Sequence, residues 1–345
     1  MDIDSEPRLA GRCDTLATVR LRFAICFALA AAVFAADSGF NGRWDITIVN
    51  EPRRRAWWLE IQDAGTPNPR GKFVSAYGGD LNIIEEISVK DDVLKFGWVR
   101  NDPPKPGAAP QRRHLVYTAR LSDGKLIGTF EVEGQPTPPL KWVGVRAPMI
   151  REKDDGTWIP ARPIQLFNGK DLSGWKGIVP GKELGWSVEN GILKSTGGAN
   201  NLVSEKTFWN FDLHVEFRLG KRSNSGIGLR GRYEIQILED YGRPPNSHTN
   251  GALYSRIAPR ENASKPAGEW QTYDIRLVGM EVTVKLNGKT VIDRGEIQGL
   301  TAMATDANEG EPGPLTLQGD HGPVEFRSIV ITPLKRSGGR SRSGH

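Results

Sequence analysis

Cysteine is nearly absent from this chain. Cys13 and Cys26 are the only two among 345 residues, and both fall within the first 36 positions. A mature protein cut after that segment would hold neither a disulfide nor a thiolate metal site. Its stability would have to come from a buried core, which a chain of this length can supply. Long apolar runs are missing too, apart from residues 23–34. That run is shorter than the roughly 20 residues needed to span a bilayer. No stretch repeats its apolar residues at helical spacing. Histidine is scarce, with five in the chain. The net charge of +5 is also a poor guide to partners. Lys335, Arg336, Arg340 and Arg342 of the tail carry four of the excess charges, and residues 1–36 balance four acidic against four basic side chains. Nucleic-acid binding needs a basic face on the folded domain, so no nucleic-acid partner is expected.

What the chain does have is punctuation. Forty glycines and 23 prolines separate short runs of alternating apolar and polar residues. That pattern predicts an all-β protein rich in turns. Arg20 and Arg22 lead into the apolar run, and Val33-Phe34-Ala35 offers small residues two apart before Asp37. The order is that of a secretory signal, so residues 1–36 are expected to be removed, leaving no stable membrane anchor.

Residues 37–148 read as a smaller antiparallel β-barrel-like domain. Eight strands are expected, at 44–49, 56–61, 71–77, 83–89, 93–99, 114–121, 125–132 and 140–145. Asp91-Asp92 and Asp123-Gly124 supply hairpin turns between them. Residues 149–163 form a charged, proline-containing linker, the natural boundary. Residues 164–334 carry about a dozen further strands, one of them expected at 251–255, and predict a two-sheet jelly-roll sandwich. Glu189-Asn190-Gly191 and Asn287-Gly288 mark two of its turns. Residues 335–345 read as a basic, disordered tail.

One segment stands out. In 230–238 the odd positions Tyr233, Ile235 and Ile237 are core-like, while Arg230, Arg232, Glu234 and Gln236 share the other side. Period-two alternation predicts one polar row on a rigid strand. Such a row suits a polyhydroxylated ligand.

Several motifs then fall in order: Leu166-Phe-Asn-Gly-Lys-Asp-Leu-Ser-Gly-Trp175, Asn224-Ser-Gly-Ile-Gly-Leu-Arg-Gly-Arg-Tyr-Glu-Ile-Gln-Ile-Leu238, Gly251-Ala-Leu-Tyr254, Lys265-Pro-Ala-Gly-Glu-Trp-Gln-Thr-Tyr-Asp274, Leu286-Asn-Gly288 and Leu317-Gln-Gly-Asp-His-Gly-Pro-Val-Glu-Phe-Arg327. Over about 164–334 the chain resembles the 3-keto-disaccharide hydrolase family, whose fold is similar to that of concanavalin A-like lectins and glucanases. The resemblance implies a bacterial periplasmic or secreted hydrolase, or lyase, that cleaves glycosidic bonds of 3-keto-sugars. A ketone at C3 acidifies the C2 hydrogen; a base removes it and the C1 substituent is expelled. Such a site needs a base, a group to stabilise the enolate and an acid for the leaving oxygen. The resemblance does not extend to residues 37–148.

Glu234 is the first candidate for the base, with Arg230 to stabilise enolate charge. His248 and His321 lie in glycine- or proline-flanked loops that can reach the rim of the strand, and either could be acid, base or metal ligand. Gln236, Arg232 and Gln318 are expected to bind sugar hydroxyls. Tyr254, Tyr241 and Trp270 are expected to stack on a pyranose. No fixed-spacing metal motif is present, and no cofactor is fixed by the sequence. A divalent cation such as Ca²⁺, held by loop groups including Glu239, Asp240, His248 and Asp320, is the one candidate. Two rivals remain. Glu234-x-Gln236-x-x-Glu239 has the spacing of a retaining laminarinase-like glycosidase, but with Gln where that motif has Asp. The domain could also be a non-catalytic carbohydrate-binding module.

Overall fold

The computed structural model describes residues 39–51, 55–75, 79–102 and 111–337. The expected secretory signal, most of the 101–110 loop and the end of the tail lie outside them. No helix among the described residues is long and apolar enough to cross a membrane.

The first part is an antiparallel meander of nine strands: β1 (Gly42–Ile48), β2 (Ala56–Gln62), β3 (Arg70–Val74), β4 (Leu81–Ile83), β5 (Glu86–Lys90), β6 (Val93–Asp102), β7 (Gln111–Ser122), β8 (Lys125–Val132) and β9 (Leu140–Arg146). The run expected as one strand at 83–89 is split between β4 and β5, which form the two edges of the sheet. The sheet curls on itself. Phe73 of β3 meets Phe96 of β6 edge-on at 5.2 Å between ring centroids, and Trp57 of β2 meets Tyr117 of β7 at 5.7 Å. These aromatics, with buried Trp44 and Trp142, fill a closed apolar interior. The expected barrel-like shape follows from inward aromatics on nearly every strand.

The second part is a two-sheet sandwich. Its strands are β10 (Trp158–Pro160), β11 (Ile164–Gln165), β12 (Trp175–Gly177), β13 (Trp186–Glu189), β14 (Ile192–Ser195), β15 (Leu202–Phe208), β16 (Phe211–Leu219), β17 (Asn224–Leu229), β18 (Tyr233–Leu238), β19 (Trp270–Val278), β20 (Glu281–Leu286), β21 (Lys289–Glu296), β22 (Gly313–Leu317) and β23 (Val324–Arg336). The larger sheet runs β13-β14-β23-β16-β19-β20-β21, with β10 and β11 also pairing with β23. The smaller runs β12-β15-β22-β17-β18. Phe211, Leu213, Val215, Phe217 and Leu219 alternate inward from β16 and face Ile227, Tyr233, Ile235 and Ile237 across the core. At about 25 cal/mol per Å² of apolar area, this shared core is the main source of stability.

The hairpin turns match their sequences. Asp91-Asp92, Asp123-Gly124, Asn190-Gly191 and Asn287-Gly288 all hold left-handed φ at both central residues, as two-residue turns that follow strand twist require. Two expectations need correction. Residues 251–255 are not a strand: Gly251 and Ser255 have positive φ, and Leu253 and Ile257 exchange backbone hydrogen bonds in a tight reversal. The linker contains β10, which pairs with β23. The tail begins later than position 335: Lys335 and Arg336 belong to β23, and Arg336 reaches Asp155 at 3.2 Å and stacks on Trp158.

The two parts meet through a seam of mixed character. Ala56, Trp58 and Val74 pack into the core of the sandwich rather than that of the barrel. The Arg256 guanidinium covers the Trp58 ring at 4.4 Å. The Ala56 amide donates to the Ala304 carbonyl at 3.0 Å, and the Leu81 amide donates to Ser255 Oγ at 2.8 Å.

Candidate functional site

β18 is an edge strand, and its edge is covered. The amides of Gln236 and Tyr254 donate to the carbonyls of Ala252 and Glu234, so segment 251–254 docks along it. Thr301 adds a side-chain oxygen that accepts from the Glu234 amide at 3.0 Å. With Tyr233, Ile235 and Ile237 committed to the core, Glu234 and Gln236 must point the other way. They open onto a cavity of about 550 Å³. Both are almost fully buried, because loops and the barrel wall the cavity.

The floor beside them is glycine. Register pairs Gly226 with Gln236 and Gly228 with Glu234. A methyl group on Gly226 would collide with Glu234 Oε1 and lie 3.1 Å from Cδ. The missing side chains let the carboxylate lie flat across the neighbouring strand. Among the described residues nothing hydrogen-bonds to that carboxylate. Burial pushes its pKa up to about 8, against which the charge of His321 works and to which that of Asp320 adds.

His321 and Asp320 form the opposite wall. Asp320 Oδ1 sits 2.8 Å from His321 Nδ1. That bond raises the imidazole pKa and overcomes a desolvation that lowers it. Asp320 is desolvated as well, but its bonds to His321 and Asn201 hold its pKa below the usual value. Asn201 Oδ1 accepts from the amides of Gly319 and Asp320, fixing the turn. Gln236 Nε2 donates to Asn224 Oδ1 at 3.2 Å, so its amide is oriented before any ligand arrives. Gln318 lines the same cavity, and its Oε1 is buried without a partner among the described residues. Tyr254 closes one side. Burial first, and then the charges of Asp80 and Glu234, raise its hydroxyl pKa to about 12, so it is a neutral donor near neutral pH.

Five of the ten expected site residues therefore converge: Glu234, Gln236, His321, Gln318 and Tyr254. The others do not. Arg230 and Arg232 leave the polar row because the alternation stops before them. Arg230 and Gly231 both have positive φ, in the turn that joins β17 to β18. The Arg230 guanidinium stacks on Trp209 at 3.9 Å and donates to the Trp209 carbonyl and Asn210 Oδ1. Burial lowers its pKa to about 10. Arg232 is bound to Asp306 at 2.7 Å and to the Glu311 carbonyl. His248 stands behind Tyr254, with Nε2 2.6 Å from Asp80 Oδ1. Tyr241 is exposed on a separate shallow surface with Arg222 and Glu239. Trp270 lies on the outer side of β19, between the guanidiniums of Arg218 and Arg327.

Two rival geometries also fail to assemble. The Glu239 carboxylate accepts from the Arg222 amide and does not line the cavity, so the two-glutamate pair of a retaining glycosidase is not formed. The suggested cation donors do not converge either. Asp240 is buried and accepts from the Asn250 amide and Ser264, His248 holds Asp80, and Asp320 holds His321. Among the described residues no three acidic, histidine or cysteine groups are placed to share a metal ion.

Sequence reasoning missed Arg55 and Gly79, which reach the cavity from the barrel, and Asn201 and Lys182 from the loops. Lys182 Nζ donates to the carbonyls of Gly198 and Ala199. The alternating glycines of Asn224-Ser-Gly-Ile-Gly-Leu229 were a readable sign of an open floor.

A 3-keto-disaccharide hydrolase of Bacteroides thetaiotaomicron is 25% identical over 169 residues, covering 38% of this chain and 57% of that protein. The chain thus spans little more than half the length of that curated relative. A solved structure of a candidate glycosyl hydrolase from Parabacteroides distasonis is 26% identical, with a TM-score of 0.44 over 57% of this chain and 92% of the other. A non-specific endo-beta-1,3(4)-glucanase is 12% identical, with a TM-score of 0.35 over 55% of this chain and 96% of its own. Residues 162–332 match the family described as the 3-keto-alpha-glucoside-1,2-lyase-like domain, and the sandwich of this chain belongs to it.

Proposed function

We propose that the cavity cleaves the glycosidic bond of a sugar already oxidised at C3. Glu234 acts as the base. It takes the proton from C2, and the C–H electron pair forms the C2–C3 double bond of an enolate. Re-forming the C3 carbonyl then makes the C1–C2 double bond and breaks the bond from C1 to the leaving oxygen. His321, held by Asp320, gives that oxygen its proton. Addition of water across C1–C2 completes a hydrolysis; without it the outcome is that of a lyase.

The observation that carries this reading is the buried Glu234 carboxyl facing a histidine whose pKa is raised by its bond to Asp320. A carboxylate whose pKa is raised to about 8 is a stronger base than an exposed one, as abstraction of a carbon-bound proton demands. In its protonated form, which the bond to Asp320 favours, His321 offsets negative charge as it develops on the sugar. Gln236, Gln318 and Asn224 offer amides for hydroxyl groups, and Tyr254 offers a wall for the ring. The family of residues 162–332 and the name of the Bacteroides relative favour the same chemistry. We extend the proposal to secretion through the leader at 1–36, which fractionation of the source cell would test.

The test is a panel of 3-keto disaccharides and their unoxidised parents, with products read by mass spectrometry. Cleavage confined to the oxidised sugars is expected. Turnover of the unoxidised sugars would sink the reading in favour of ordinary glycosidase chemistry. Binding without turnover of any of them would favour a carbohydrate-binding module.

A further inference from the structure

The residues around the cavity do not all come from the family-matched stretch of 162–332. Arg55 and Gly79 belong to the barrel and line it too. Arg55 immediately precedes β2, whose first amide is bonded to the Ala304 carbonyl of the sandwich. Asp80 is bonded to His248, and a methyl group on Gly79 would lie 3.6 Å from the Tyr254 hydroxyl. Ala56 and Trp58 are part of the sandwich core. Arg55 is therefore anchored relative to Glu234.

The state of its guanidinium points to a ligand. Nη2 meets Glu51 Oε2 at 3.3 Å, which holds the side chain in place. Nε is buried and has no partner among the described residues. A buried donor left unpaired is costly, and an acceptor that draws the side chain far enough to expose Nε to the cavity would relieve it. The wall holds a second cation, Lys182, tied only to backbone carbonyls, and Asp320 is matched by His321.

We propose that Arg55, delivered by the barrel, is a specificity residue that selects substrates carrying an oxyanion substituent, a carboxylate or a sulfate or phosphate ester. The planar fork of Arg fits such groups through two parallel hydrogen bonds, which a neutral hydroxyl does not match in strength. The barrel then acts as a selectivity domain placed beside the cleavage domain. This proposal rests on the cavity being a sugar site, and it deepens that reading without depending on the bond-breaking chemistry.

Equilibrium binding tests it on the full chain without requiring turnover. The probes are a neutral disaccharide, the same disaccharide with a reducing-end uronate, and its sulfated and phosphorylated forms. At least one anionic form is expected to bind about 10-fold tighter than the neutral one, as charge-assisted bidentate contacts allow. Which form does so identifies the source of the oxyanion. Arg55→Gln should bring the ratio of the two dissociation constants to about one, and Arg55→Lys, which keeps the charge but not the fork, should restore part of it. Equal binding of neutral and anionic probes by the parent protein overturns the proposal, as does a ratio that survives in Arg55→Gln. Unchanged thermal unfolding of the variants separates loss of selectivity from loss of fold. If the ratio behaves as expected but no 3-keto glycoside is cleaved, Arg55 keeps its role and the cleavage chemistry falls. If cleavage stands and the ratio does not, the reverse holds.

Discussion

The Glu234 carboxylate lies across Gly226 of the neighbouring strand, in space that any β-carbon there would occupy. Gly226→Ala should therefore push the carboxylate aside while keeping its chemistry. A displacement of about 1 Å at a reacting group can cost on the order of 100-fold in rate. The variant is expected to lose about that much in kcat, at about 1–3 kcal/mol of stability from overpacking. Steady-state kinetics beside a denaturant melt would separate the two effects, and a variant with full kcat would show that Glu234 need not lie where it does.

The raised pKa of Glu234 sets the direction of two pH dependences. As a base it must be ionised, so kcat/KM should rise with pH toward an apparent pKa of about 8. Stability runs the other way. The carboxyl ionises near 4.5 when unfolded but near 8 when folded, so its contribution is full below 4.5 and is lost as pH climbs to about 8. Glu234→Gln should abolish turnover and remove that loss, gaining roughly several kcal/mol relative to the parent at alkaline pH. Thermal melts of both proteins across this range check the sign.

The bond to Asp320 raises the pKa of the His321 imidazole. If His321 is the acid, activity falls once it deprotonates. Asp320→Asn leaves an acceptor but removes the negative charge that helps raise its pKa, so the alkaline fall should move to lower pH, with a loss of 10-fold or more in kcat. A pH–rate profile with an unmoved alkaline limb would remove His321 from that role.

Much of the fold was legible, and the reasons are local. The strands of both parts alternate clearly, and the paired left-handed turns are written as Asp-Gly, Asn-Gly or, once, Asp-Asp. Glu234 and Gln236 could be placed because a strand fixes the side of every second residue. Arg230 and Arg232 were misplaced because a row read through Gly231 hides the turn there: the pattern looks continuous, but the backbone reverses. Arg55 was invisible for a different reason. It lies 179 positions before Glu234, and no periodicity links residues brought together by packing between two parts of a chain.

A fourth prediction follows from that misplacement. Arg230 supports the turn through Trp209 and Asn210, away from the cavity. Arg230→Ala should cost about 3 kcal/mol of stability, since it opens a cavity and strands buried acceptors. The pH profile of the remaining folded enzyme should not move. A shifted profile would return Arg230 to the site.

A fifth concerns the seam between barrel and sandwich. Asp45 of β1 is fully buried, and desolvation, together with the nearby Glu309, raises its pKa strongly. A carboxyl raised in the fold contributes stability at low pH that is lost as pH rises. Asp45→Asn should therefore raise Tm more at about pH 9 than at about pH 5. Equal shifts at both would show that Asp45 stays ionised.

The most direct measurement is the fate of the C2 hydrogen. A 3-keto disaccharide deuterated at C2 should be cleaved with loss of deuterium to solvent and a slowed first step, both abolished in Glu234→Gln. Cleavage with deuterium fully retained at C2, by either protein, would contradict proton abstraction by Glu234.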